Sequence, residues 1–170
     1  MARAARGGIS RVYLHWTAGR YGECFDEYHV NVGGEGEVFL TCGALTETKA
    51  HTWRRNTGAV GIALCCAYGA QCGAGGEPVY PQGFAPTRAQ VEALALVVAV
   101  LCAALGLAIE PQVVATHCEV ATRDGYGPGS GDADTRWDLS FLPDSQGILR
   151  PGGEYIRELA RGFPAAVPIC

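Results

Sequence analysis

Val12-Tyr-Leu-His-Trp-Thr-Ala-Gly19 decides how this chain is read. An apolar run that ends in a histidine and breaks into Trp16-Thr17-Ala18-Gly19 is how a buried strand delivers a side chain to the rim of a sheet. We place that strand over Ile9 to His15. A lone histidine there is more commonly a core residue with its ring nitrogens satisfied. Its meaning therefore depends on what other strand ends bring beside it.

A second exit lies at Val113 to Thr116, a short β-rich run that gives way to His117-Cys118-Glu119-Val120-Ala121, read as a strand-to-loop exit. A glycine-rich stretch and Arg136-Trp137-Asp138-Leu139 follow. Two histidines and one carboxylate from separate segments, with a fourth position left for water, are the makings of a catalytic zinc site. His15 and His117 are the imidazole candidates. The carboxylate has three candidates, Asp132, Asp134 and Asp138. The first two stand in a flexible glycine-rich stretch, where holding a ligand still costs more entropy, and they also read as turn residues or caps.

Five segments in order carry a family resemblance between about Ser10 and Leu139. They are His15-Trp16-Thr17-Ala18, Tyr28-His29-Val30 before a glycine-rich turn, His51 before Asn56 and Gly61-Ile62, His117 to Ala121, and Arg136-Trp137-Asp138. In these the chain resembles the zinc-dependent N-acetylmuramoyl-L-alanine amidases, the family that includes amidase-type phage lysozymes and the peptidoglycan recognition proteins. The resemblance implies an α/β domain with a central mixed sheet flanked by helices. It implies zinc on His15, His117 and Asp138, because the family places a basic residue two positions before the ligand and Arg136 fills that place.

The family's catalytic tyrosine falls on Tyr28. A glutamate used in another family pattern falls on Ala63, which favours the tyrosine version. Arg136 stands where some relatives have lysine, and a guanidinium that keeps its proton can stabilise charge but cannot act as a base. His51 matches a groove histidine of relatives, with loop surface as its other reading. Glu119 matches a family acid and is read as a partner that orients backbone or a ligand histidine. Trp16, Trp53 and Trp137 are candidate apolar walls for sugar or peptide, or simply packing residues. His29 faces away from Tyr28 by the two-residue strand period and is read as structural.

The implied activity is hydrolysis of the amide between N-acetylmuramic acid and the L-alanine of the peptidoglycan stem, in the manner of a phage or prophage endolysin. A peptidoglycan-binding module without catalysis is the alternative. A structural metal site is a third reading, closed by Cys118 or another thiol as fourth ligand.

At 170 residues the chain has the length of one domain, and we expect a single unit with residues 1–8 as an arm and no separate wall-binding module. A formal charge of -4 gives no broad pull toward nucleic acid or anionic polymer. The apolar window Val91 to Ile109 contains Glu92 and much alanine and reads as a buried helix, not a membrane span. No signal-peptide core follows the N-terminus, so cytoplasmic synthesis with action on the wall is expected. Eight cysteines without a Cys-x-x-Cys pair read as free thiols, Cys66 and Cys72 being close enough in sequence to close a loop under oxidation.

Gly33-Gly34-Glu35-Gly36 predicts a hairpin between Tyr28–Val32 and Glu37–Leu40. Gly61 to Cys66 reads as a buried strand, and residues 42–59 and 69–86 as loops. Thr87-Arg-Ala-Gln90 is a capping box opening a helix that stops near Gly106. Gly152 to Phe163 is expected to form a short helix of structural role.

Overall fold

The computed structural model describes residues 1–132 and 136–164. Five strands build the central sheet: β1 (Arg11–Trp16), β2 (Val30–Val32), β3 (Val38–Leu40), β4 (Ala59–Leu64) and β7 (Val114–Thr116). Their spatial order is β3-β2-β4-β1-β7. β1 runs parallel to both β4 and β7, β2 runs parallel to β4, and β3 closes the edge antiparallel to β2. The sheet is therefore mixed, as the sequence implies. The hairpin turn lies where the glycines place it, with the strands one or two residues shorter than the sequence suggests.

Strand alternation sorts the two faces of this sheet. Val12, Leu14, Val30, Val32, Val60, Ile62 and Leu64 belong to one apolar cluster with Val91, Leu94, Val98, Leu101 and Leu105 of the long helix α1 (Arg88–Leu105). Each such side chain, fully buried, contributes about 1.5–3 kcal/mol, so this face is the main source of stability. Both expected signals of α1 are present. Thr87 and Gln90 make the reciprocal capping box, and left-handed Gly106 ends the helix. Gln90 does more than cap. Its Nε2, fully buried, donates to the carbonyls of Val32 and Cys65, tying the helix start to the sheet.

The other face carries small residues. Ala63 is the register partner of His15, and Gly61 that of Tyr13. This leaves room for a ring, which His51 in the loop of residues 42–58 supplies from outside. The short helix α2 (His117–Asp124) covers the β1–β7 end. Here the structure corrects the sequence reading. His117 opens a helix and not a loop, because Thr116 and Glu119 form a second capping box directly after β7.

Two small ribbons complete the chain, β5 (Gln71–Cys72) with β6 (Pro78–Val79) inside the expected loop, and β8 (Phe141–Pro143) with β9 (Leu149–Pro151). The expected C-terminal helix is α3 (Gly152–Gly162), packed on α1 and β7. Residues Ala2–Ala5, expected within an arm, make a 3-10 turn against α1 with Ala5 buried. The seven described cysteines are free thiols, and Cys170 lies outside the described residues.

Candidate metal centre

Parallel strands β1 and β7 end side by side, since Leu14 is in register with Thr116. The next residue on each is a histidine, so the topology alone brings His15 and His117 together at the carboxyl ends of neighbouring strands. Open α/β sheets generally bind ligands at such ends. The imidazole centroids are 4.8 Å apart.

Asp138 arrives from the segment after α2. Its backbone carbonyl accepts the Cys118 N–H in the first turn of α2, and the Arg136 N–H donates to the Tyr126 carbonyl. The carboxylate faces both rings. Oδ2 lies 2.9 Å from His15 Nδ1 and Oδ1 lies 3.2 Å from His117 Nδ1. Ligand atoms of the three residues all fall within 4.8 Å of one another, and all three residues are buried.

These distances suit a metal. Zinc–nitrogen and zinc–oxygen bonds of about 2.0–2.2 Å in a tetrahedron put neighbouring ligand atoms roughly 3.3–3.6 Å apart, slightly wider than the two observed contacts. The donor set of two imidazoles and one carboxylate is the chemistry of a catalytic zinc site, which keeps a position open. The buried His117 Nε2 has no hydrogen-bond partner among the described residues.

The electrostatics favour ligand-ready protonation states. Burial lowers the His15 pKa against the opposing pull of Asp138, so its ring is neutral. Burial works against ionisation of Asp138, but its interactions with His117 and the hydrogen bond from His15 outweigh it and hold the carboxyl well below the usual range. Of the rival ligands, Asp132 is exposed on the groove rim, and Asp134 lies outside the described residues. Cys118 does not belong to the ligand cluster of the described residues. Burial, partly offset by a hydrogen bond to Thr122, pushes its thiol up to about 11.

Around this centre opens a groove of roughly 940 Å³. Tyr28 stands in its wall with its ring centroid 5.1 Å from that of His15. Its hydroxyl makes a long 3.4 Å bond to the Trp16 carbonyl. Burial first, then the negative charges of Asp138 and Glu27, raise its pKa well above the ordinary value, so the phenol keeps its proton. Arg136, exposed at the rim, acts in the opposite direction on the same phenol.

Trp16 and Trp137 meet edge to face at 4.8 Å and line the groove, while Trp53 is 61% exposed on its lip against Tyr126. His51 is buried in the groove wall and does not lie on the loop surface. Its ring lies directly over Gly61, where an added Cβ would come within 2.6 Å of the imidazole, so β4 needs a glycine there. His51 titrates at about 2, through burial first and then the neighbouring histidines.

Left-handed backbone gathers at this site. Among the described residues the non-glycine cases are Ala18, Arg54, Ala67 and Leu139, three lining the groove and the fourth following Asp138. Strain of this kind persists where the surrounding structure imposes it.

Two supporting groups are not singled out by the sequence. Thr52 places its hydroxyl between His15 and His51. Arg157, from α3, makes a two-pronged pair with Glu119 at 2.8 Å and also donates to the Val114 carbonyl. Glu119 meanwhile accepts the Thr116 N–H, so this acid orients backbone at the His117 strand end.

Fold and centre together define a mixed-sheet α/β domain with a buried His–His–Asp cluster at its strand ends. The chain belongs to the N-acetylmuramoyl-L-alanine amidase family whose model matches residues 5–130. Among solved structures it is similar to the E. coli N-acetylmuramyl-L-alanine amidase AmiD in complex with anhydro-N-acetylmuramic acid-L-Ala-D-gamma-Glu-L-Lys. Identity is 20% and the TM-score 0.52, over 86% of this chain and 63% of that one. The chain thus spans somewhat under two thirds of that relative's length. A further likeness is to the ectodomain complex of peptidoglycan recognition proteins LCa and LCx bound to tracheal cytotoxin. There identity is 20% and the TM-score 0.45, over 65% of this chain and 70% of that one. Among curated proteins none matches the chain in sequence.

Proposed function

We propose that this protein is a zinc-dependent hydrolase of the amide between N-acetylmuramic acid and L-alanine in peptidoglycan. The observation that carries the reading is the buried His15–His117–Asp138 cluster, whose His117 and Asp138 line a groove walled by Tyr28. Family membership supports the bond addressed. The substrate complex of AmiD supports a muramoyl peptide as ligand.

His15, His117 and Asp138 would hold the metal. A zinc ion bound there supplies Lewis acidity toward the scissile carbonyl and a water of lowered pKa. The remaining steps fall to side chains. Tyr28, kept protonated by its surroundings, donates from its hydroxyl to the oxygen on which charge develops. Such a donor aimed at an oxyanion is worth roughly a hundredfold or more in rate. Arg136 at the rim adds fixed positive charge. Trp16, Trp137, Trp53 and His51 form walls against which sugar and peptide are oriented.

Purified protein incubated with a muramoyl tripeptide tests the reading. Release of free peptide with a new amino terminus, abolished by chelation and restored by zinc, is expected. Saturable binding without release would make the domain a binding module and overturn the enzymatic reading. An endolysin setting is the cellular role we propose for the same hydrolysis. Clearing of permeabilised bacterial suspensions by added protein tests it, and retained turbidity alongside muropeptide cleavage would speak for a role on small wall fragments.

A further inference from the structure

We propose that Thr52 is a positioning residue that couples the metal site to His51, so that loading His15 reverses the hydrogen bonds along His15–Thr52–His51 and sets the tautomer of His51. The proposal rests on the reading of His15 as a metal ligand.

Thr52 Oγ1 lies 3.3 Å from His15 Nε2 and 3.0 Å from His51 Nδ1. The residue is 1% exposed. Its position is fixed from behind, since the backbone N–H groups of Thr52 and His51 both donate to Asn56 Oδ1, at 2.7 and 3.2 Å. A threonine hydroxyl carries one proton. Set between two imidazole nitrogens, and with no other acceptor for its proton among the described residues, it donates to one and accepts from the other, so the chain of bonds has a direction.

An ionised carboxylate only accepts. Without a metal, Asp138 receives the N–H bond of His15 Nδ1 and lies 3.2 Å from His117 Nδ1. His15 Nε2 is then bare and takes the Thr52 proton, and Thr52 in turn accepts from His51 Nδ1–H. His51 is left with a bare Nε2. A metal on His15 Nδ1 inverts each step. The ring's proton moves to Nε2 and is donated to Thr52, whose own proton goes to His51 Nδ1. The proton of His51 must then sit on Nε2, a buried atom with no hydrogen-bond partner among the described residues. His51 lines the groove, so a change at the metal is passed to a wall residue through one hydroxyl.

The same hydroxyl steadies the His15 ring. Groups that take the remote N–H of a ligating histidine fix its tautomer and raise its basicity, and removing one typically costs about 10–100-fold in metal affinity.

The test uses the full chain and two readouts, zinc affinity by competition with a chromophoric chelator and long-range 15N–1H spectra of the histidine rings with and without zinc. Thr52→Val should weaken zinc binding about 10–100-fold, while Thr52→Ser keeps the hydroxyl and should stay near wild type. In wild-type protein His51 should change from the Nδ1–H to the Nε2–H tautomer on zinc addition. In Thr52→Val it should no longer follow. An unchanged His51 tautomer in wild type, or unchanged zinc affinity in folded Thr52→Val, would overturn the coupling while leaving the metal site standing. Wild-type protein that takes up no zinc would overturn both. Should Thr52→Val fail to fold, the wild-type spectra and the Thr52→Ser affinity decide.

Discussion

His15 and His29 are both completely buried, and both lie among the rings packed over Gly61 and Ala63, yet they are held in opposite ways. His29 is claimed by backbone. The Gly61 N–H donates to its Nδ1 at 3.0 Å, which requires its Nε2 to carry the proton donated to the Glu47 carbonyl at 2.9 Å. Its tautomer is locked and neither nitrogen is available. His15 is claimed only by side chains, Asp138 on one nitrogen and Thr52 on the other. Burial does not distinguish a ligand from a core histidine. What does is whether the ring's partners are fixed backbone groups or groups that can exchange roles.

The largest effect expected from this contrast is at the ligands. His15→Ala or Asp138→Ala should remove zinc, read by metal analysis, and with it all muropeptide hydrolysis. His29→Ala should leave zinc stoichiometry intact in the folded protein, and zinc loss there equal to that of His15→Ala would erase the distinction.

Next comes Tyr28→Phe, expected to lower kcat about a hundredfold with little change in KM and no loss of zinc. Turnover near the wild-type rate would reduce Tyr28 to a packing aromatic. Smaller again is the stability cost of His29→Ala. It strands the buried Gly61 N–H, at about 1–3 kcal/mol for a buried unsatisfied group, while the carbonyl of exposed Glu47 can turn to water. Urea denaturation of the zinc-free protein measures it.

The smallest effect, taken for one histidine and one pH unit, is in the pH dependence. Burial is the leading cause lowering the pKa of His15, His29 and His51 in the folded state. Below about pH 6.5 the unfolded chain therefore binds protons that the folded chain refuses. Zinc-free protein should be most stable above that pH and lose stability as pH falls through 6 toward 4. Each buried histidine contributes a slope of up to about 1.4 kcal/mol per pH unit. His29→Gln should flatten this slope by one histidine's share, and an unchanged slope would mean that His29 is not held neutral by the fold.

Much of this was legible in the sequence, for physical reasons that can be named. The strand carrying His15, the hairpin at residues 33–36 and the helix from Thr87 to Gly106 follow from local signals, namely periodicity, glycine turns and caps. The reading of His117 as a loop residue missed a signal of the same kind. Thr116-x-x-Glu119 repeats the pattern of Thr87-x-x-Gln90, but it follows a strand of only three residues. Other features were out of reach. Thr52 gains its role from two rings distant in sequence or orientation, and Arg157 from a carboxylate 38 positions away. The ribbons at 71–79 and 141–151 are too short for their alternation to rise above the surrounding glycine and proline.

The carboxylate of Glu119 joins the start of α2, the end of β7 and, through Arg157, the helix α3. Seen in the order of synthesis, this clamp makes the site a late event. β1, β4 and α1 can find one another once the residues up to Leu105 have emerged, but Asp138 and the guanidinium that braces the His117 strand end follow later. A nascent chain can thus own a nearly finished core and still lack a finished centre. Fragments stopped between residues 138 and 157 should contain every candidate ligand but not the brace that holds one of them in place.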